Sequence, residues 1–234
     1  LEKEDSDLFH TGGNDSMPNT AYSTWGFWAM SAVDVSPNSG TQNASVHLGT
    51  WVSGEVVAIV RGAQRRILEV RVLADKKTKF EDFGAVDPHS IDRDAVIEKM
   101  LQSGVWPMLK QRPYNVAANP EKTPKAIFIS GFDTAPLAPD MGIILEGQEK
   151  EFQAGVDALA KLTDGPVHLG LSESKPTGKT LASVRGVKVT KYKGPHPAGL
   201  VGVHIHHLDP IDKGEHVWTI APEHVVILGH LFLT

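Results

Sequence analysis

The chain has 234 residues, 41% hydrophobic and 22% charged, a globular composition with ample apolar content for a core. A net charge of -5 argues against non-specific nucleic-acid binding, and the absence of cysteine excludes disulfides, thiolate metal centres, cysteine-held iron–sulfur clusters and a cysteine nucleophile. No apolar run approaches the roughly 20 residues that span a bilayer, and a start at Leu1-Glu2-Lys3 is not a signal peptide, so a trimmed or partial chain is expected.

Residues 1–50 are rich in Gly, Ser, Asn and Thr and hold an aromatic cluster, Trp25-Gly26-Phe27-Trp28. Short strands joined by polar turns such as Ser36-Pro37-Asn38-Ser39-Gly40 are expected there, with the cluster a candidate carbohydrate- or partner-binding patch. Residues 52–60 and 66–72 are β-branched runs around Arg61-Gly62-Ala63-Gln64, the composition of a hairpin. Asp87-Pro88-His89-Ser90 opens a helix over about 92–102, with acids in its first turn and Ser103-Gly104 at its end. Residues 125–130 read as a buried strand and 149–162 as a helix, with Phe152, Val156, Leu159 and Ala160 on one face. Strands follow at 167–171 and 187–192, and 216–220 and 225–229 read as closing strands. Strands alternating with helices indicate a parallel, doubly wound sheet.

Four histidines, His196, His204, His206 and His207, crowd between Gly194-Pro195 and Asp209-Pro210. In an extended chain His204 and His206 share one face, and the Pro197-Ala198-Gly199 turn brings His196 back toward them. That trio is the candidate ligand set of a free-standing metal-dependent enzyme. A structural or polar-cavity role is the plainer reading. Contact with a quinone-like ligand is a third, because neutral imidazole hydrogen-bonds a carbonyl and donates a proton on its reduction.

Other motifs argue mainly by what they lack. Pro176-Thr177-Gly178-Lys179-Thr180 ends like a phosphate loop, but Glu173 stands where that loop needs glycine. No G-x-G-x-x-G follows a strand, so the dinucleotide fingerprint is missing. Ser130 lies at a strand end without a G-x-S-x-G context or a base nearby in sequence. Residues 52–56 resemble the hairpin of biotin- and lipoyl-carrier domains, yet the turn offers no lysine to modify. Gln111-Arg112-Pro113-Tyr114-Asn115 reads as an ordered polar-aromatic loop.

Several of these segments together resemble the A subunit of the bacterial sodium-translocating NADH:quinone reductase family. They include Val52-Ser53-Gly54-Glu55-Val56, Ser103-Gly104-Val105-Trp106-Pro107, Lys110-Gln111-Arg112-Pro113-Tyr114, Ser130-Gly131-Phe132-Asp133-Thr134-Ala135-Pro136 and Gly194-Pro195-His196-Pro197-Ala198-Gly199-Leu200, continuing to His204-Ile205-His206. The resemblance covers about 52–234; residues 1–50 do not match the family's first segment, and its later β-grasp and helical parts are expected beyond Thr234. It implies an α/β fold: a Rossmann-like parallel-sheet domain over 81–194 and a partial, carrier-like β barrel-sandwich from 51–80 plus about 195–234.

The resemblance also implies a peripheral component on the cytoplasmic face of the bacterial inner membrane, bound to other subunits of the complex. Such a component is similar to the flavin-binding subunit of respiratory complex I and to the C subunit of the Rnf complex, without their flavin-binding glycine loop. It implies an oxidoreductase complex exporting sodium, with flavins and an iron–sulfur centre in the partner subunits. No cofactor is expected on this chain, quinone is a possible ligand, and the isolated chain is expected to be inactive. Ligand-contact candidates are His196, His204, His206, Phe132 and Asp133, with no residue assigned as catalytic or metal-binding in this reading.

Overall fold

The computed structural model describes residues 8–12, 33–35, 46–48, 54–63, 67–76 and 82–234. They divide into two units, Leu1–Asp82 with Gln102–Gly104, and Phe83–Leu101 with Val105–Thr234. The first unit holds β1 (Leu8–Gly12), β2 (Val33–Val35), β3 (Val46–Leu48), β4 (Gly54–Arg61) and β5 (Ile67–Ala74). β4 and β5 pair antiparallel as the expected hairpin, β1 lies on the other edge of β5, and β2 and β3 pair separately. Gly54 is required at its position, because a Cβ there would sit 2.1 Å from the Leu73 carbonyl oxygen. Among the described residues these strands close no barrel. The Trp25–Trp28 cluster and the turn at 36–40 lie outside the described residues.

The second unit is built around a six-stranded mixed sheet. Its elements are α1 (Arg93–Gln102), β6 (Lys110–Arg112), β7 (Val116–Ala117), β8 (Ile127–Ser130), α2 (Met141–Ile144), α3 (Glu149–Ala160), β9 (Val167–Ser172), α4 (Lys179–Ser183), β10 (Lys188–Tyr192), α5 (Val201–Leu208), β11 (Val217–Ile220) and α6 (Pro222–Leu233). The strand order is β10-β9-β8-β11-β6-β7. β10, β9, β8 and β11 run parallel, while β6 and β7 add as an antiparallel edge. The chain steps outward from β8 to β9 to β10, then returns over α5 to place β11 on the far side of β8. That reversal makes the carboxyl ends of β8 and β11 a topological switch point, where open α/β sheets place ligands.

β8, β9 and β11 are almost wholly buried, which is why they read as unbroken apolar runs. On one face α5 packs against β8, and Ala126, Phe128, Ile205 and Val217 form a cluster closed by Val201 and Ile211. Elsewhere in the unit α3 packs closely against α6 through Gly155 and Gly229. Phe128 and Phe152 are essentially inaccessible, and such burial contributes about 1.5–3 kcal/mol per side chain.

Three expectations are corrected. The sheet is mixed and not wholly parallel, because the ordered loop expected over 111–115 is the turn of an antiparallel hairpin, with β6 and β7 on either side of residues 113–115. Residues 225–229 are helical: Pro222 opens α6 at a position where a missing N–H is harmless, and Val225, Leu228, Gly229 and Phe232 recur at helical spacing. The assignment of about 195–234 to barrel-sandwich strands does not hold either, since α5, β11 and α6 all belong to the α/β unit and β11 pairs β8 and β6.

Candidate functional site

The histidine segment is a helix, not a strand. Leu200 supplies the first carbonyl, accepting from the Val203 and His204 N–H groups, and Val201, His204, Ile205 and Leu208 recur at the spacing of one helical face. His204 is therefore buried under α5, at 1% exposure, while His206 and His207 face solvent in the last turn.

The His204 ring lies against Tyr192 of β10, with centroids 3.9 Å apart and planes 11° from parallel. Phe132, two residues past β8, stacks on it at 5.6 Å and 25°. His204 Nε2 stands 2.9 Å from the Ala198 carbonyl oxygen. A carbonyl only accepts, so Nε2 carries the proton and the neutral ring leaves Nδ1 bare. Burial holds the His204 pKa below the ordinary value of 6.5, against the opposing pull of the Ala198 carbonyl. The ring reaches this position because residue 170 is glycine: a Cβ there would lie 2.5 Å from His204 Nδ1. The Tyr192 hydroxyl is buried without a hydrogen-bond partner among the described residues, and burial raises its pKa.

Two proline-rich loops lock together beside the stack. Ser130 Oγ lies within donating distance of two carbonyl oxygens, Gly199 at 2.8 Å and Phe132 at 2.9 Å. The Gly199 N–H donates to Thr134 Oγ1 at 3.0 Å, and Thr134 Oγ1 lies 3.1 Å from His196 Nδ1. The Asp133 carboxylate accepts from the Ala135 N–H at 2.8 Å, closing the turn after β8. A Cβ on Gly199 would meet Thr134 N at 2.6 Å, so only glycine admits this docking. Phe132, Asp133, His196 and His204 thus lie in one neighbourhood at the carboxyl end of β8. His206 does not join them.

The trio His196, His204 and His206 is not assembled as metal ligands. Residues two apart on a helix diverge by about 200°, and His204 Nε2 is committed to Ala198. Among the described residues no group of three His, Asp or Glu side chains is placed to hold a metal ion. The nearby crevice, walled by Gly131, Phe132, Leu171, Lys175 and Gly178, has a volume of about 20 Å³. That is room for a single water.

Tyr192, Thr134 and Gly170 complete the neighbourhood; Thr134 lies in the loop segment that the sequence singles out, whereas reading the sequence alone misses Tyr192 and Gly170. Gly170 carries a signal, because a glycine inside an apolar strand marks a close approach. Nothing local marks Tyr192, which meets His204 only through the turn of the chain into α5.

The sequence of this unit decides the family. Residues 91–234 match the family model described as NqrA second alpha/beta domain. The chain belongs to the NqrA family. It is 38% identical over 188 residues to the A subunit of the Na(+)-translocating NADH-quinone reductase of Rhodopirellula baltica, covering 78% of this chain and 40% of that protein. It is 38% identical over 197 residues to the protein of the same name from Aliivibrio salmonicida, covering 82% of this chain and 43% of the relative. The corresponding protein of Alcanivorax borkumensis is 37% identical over 185 residues, 77% of this chain and 40% of that one. The NqrA-like chain therefore spans about two fifths of the length of these relatives.

Proposed function

We propose that this chain is part of the A subunit of a sodium-translocating NADH:quinone reductase, docking on the other subunits near the quinone-reducing step. The carrying observation is the family match over 91–234, which includes both interlocked loops of the site. In this reading the chain supplies no redox group of its own, and flavins and the iron–sulfur centre reside in partner subunits. It acts as a peripheral component on the cytoplasmic face of the bacterial inner membrane. Among the described residues no helix is long and apolar enough to cross a membrane. The strand order β10-β9-β8-β11 supports a Rossmann-like half for the α/β unit, and β4–β5 supports a carrier-like fragment confined to 51–80.

The rim of the site suits a partner or an apolar ligand. Leu137 is fully exposed, Ile143 is 73% exposed and Leu200 44% exposed, all on or beside the interlocked loops. The polar contact assigned to quinone is His196. His196 Nδ1 lies 3.1 Å from Thr134 Oγ1, which also accepts from the Gly199 N–H; in the tautomer where Nδ1 accepts the Thr134 hydroxyl hydrogen, the exposed imidazole presents its N–H at Nε2. That donor suits a quinone carbonyl, with Phe132 and His204 as packing beneath and Asp133 fixing the turn.

Titration of the purified chain with a short-chain ubiquinone tests the contact. His196→Ala should weaken binding about 3–10-fold, the worth of one hydrogen bond, and His206→Ala should bind like the parent. Equal affinity of parent and His196→Ala, or no binding by the parent, would overturn the assignment.

A further inference from the structure

The region around β10 is locally cationic. Between Glu173 and Lys193 stand six of the 23 cationic side chains and one of the 28 acids, in a chain whose net charge is -5. Lys188, Lys191 and Lys193 are exposed, as is Val189 at 49%. β10 is also the edge of the six-stranded sheet among the described residues.

The ladder shows which backbone groups are open. The Tyr192 carbonyl accepts from the Glu173 N–H, and Tyr192 registers with Ser172. In a parallel pair a residue's N–H and C=O point to the same side, and the side alternates along the strand. Lys188, Thr190 and Tyr192 therefore turn their backbone groups toward β9, and Val189 and Lys191 turn theirs outward. The side chains alternate as well, with Lys188 on one face of the sheet and Lys191 on the other.

We propose that β10 is a docking edge for an extended acidic segment of another protein, which adds as a further strand. Outward N–H and C=O groups supply the ladder, and lysines above and below it match carboxylates alternating along the added strand. A lipid surface would favour cations gathered on one face, whereas these flank the edge on both. The inference does not rest on the quinone assignment.

The test uses the full chain and a fluorescein-labelled peptide alternating glutamate with valine, read by anisotropy. The same peptide with lysine for glutamate, and vesicles containing phosphatidylserine, serve as comparisons. The acidic peptide should bind saturably and weaken as salt is raised, while the lysine peptide and the vesicles should not bind. Lys191→Glu with Lys193→Glu, both exposed, should weaken binding at least about tenfold. Val189→Pro removes an outward donor at a position where an edge strand tolerates proline, and should weaken it comparably with the circular dichroism unchanged. Loss on charge reversal with Val189→Pro binding like the parent would mean electrostatic attraction without strand addition and would overturn the proposal. Vesicle binding in place of peptide binding would overturn it. So would no binding at all, leaving the lysines as a guard against edge-to-edge aggregation.

Discussion

Substituting Gly229 with alanine probes the packing on which the α/β unit depends. Gly229 of α6 faces α3 so closely that a Cβ would sit 1.6 Å from the Glu151 carbonyl oxygen and 2.8 Å from the Gly155 N. Gly155 is the reciprocal contact, where a Cβ would lie 2.1 Å from the Val225 carbonyl oxygen. Both obstacles are helical backbone, so no rotamer change relieves them and the helices must move apart. Separation loosens the packing of Phe152, Val156, Val225, Leu228 and Phe232, all buried at 1% exposure or less. Overpacking of this kind costs about 1–3 kcal/mol. Backbone obstruction puts Gly229→Ala at the upper end, offset by about 1 kcal/mol from alanine's helix propensity. A net loss of about 2 kcal/mol should lower the Tm of this unit by about 4–8 °C.

Gly202→Ala in α5 is the control, since a Cβ there meets only the mobile end of the Arg112 guanidinium, at 2.9 Å. It should be neutral or stabilising by up to about 1 kcal/mol. Urea unfolding followed by circular dichroism reads both. If Gly229→Ala stays within about 0.5 kcal/mol of the parent, the close helix crossing is wrong.

Further consequences follow from the buried polar groups. His168 is 8% exposed, stacks on Phe128 at 4.6 Å, and has neither ring nitrogen hydrogen-bonded; His168→Phe should stabilise by about 1–3 kcal/mol by removing stranded polar atoms, as urea midpoints will show. Burial lowers the pKa values of His168, His204, His216 and His224 below 6.5 in the folded chain. A depressed folded-state value means the unfolded chain binds protons first, so stability is intact above about pH 6.5 and is lost as pH falls through the lower folded-state values. Each such histidine adds up to about 1.4 kcal/mol per pH unit to that slope, and His168→Phe should flatten the stability profile between neutral and acidic pH. Lys125 Nζ ties Asp209 at 2.7 Å and Glu215 at 2.8 Å, holding the end of α5 against the start of β8. Lys125→Met should therefore speed amide exchange at the carboxyl end of α5, and unchanged exchange there would remove the tie.

What the sequence shows and what it hides divide on physical lines. β8, β9 and β11 are legible because strands buried on both faces need unbroken apolar runs between turn signals. α3 is legible because Phe152, Val156 and Leu159 recur at helical spacing, although Ala160, expected with them, is exposed. α5 and α6 are hidden by their β-branched residues, Val201 and Val203 in one and Val225, Val226 and Ile227 in the other. Propensity points to strand, while burial of His204, Ile205, Val225 and Leu228 against neighbouring elements makes both of them helices. In the site, Phe132, Asp133 and His196 lie in loops whose proline and glycine content announces a special backbone. The stacking of His204 on Tyr192, and the Thr134 hydroxyl between Gly199 and His196, arise from long-range docking that no local pattern encodes.

The central claim is that this chain is a docking component of the quinone reductase. Affinity purification of the tagged chain from detergent-solubilised membranes of cells containing the complex, followed by mass spectrometry, tests it most directly. The other reductase subunits should be recovered in stoichiometric amount, and recovery should fall when charged residues replace exposed Leu137 and Ile143 on the rim. Recovery of a correctly folded chain with none of the other reductase components would contradict it.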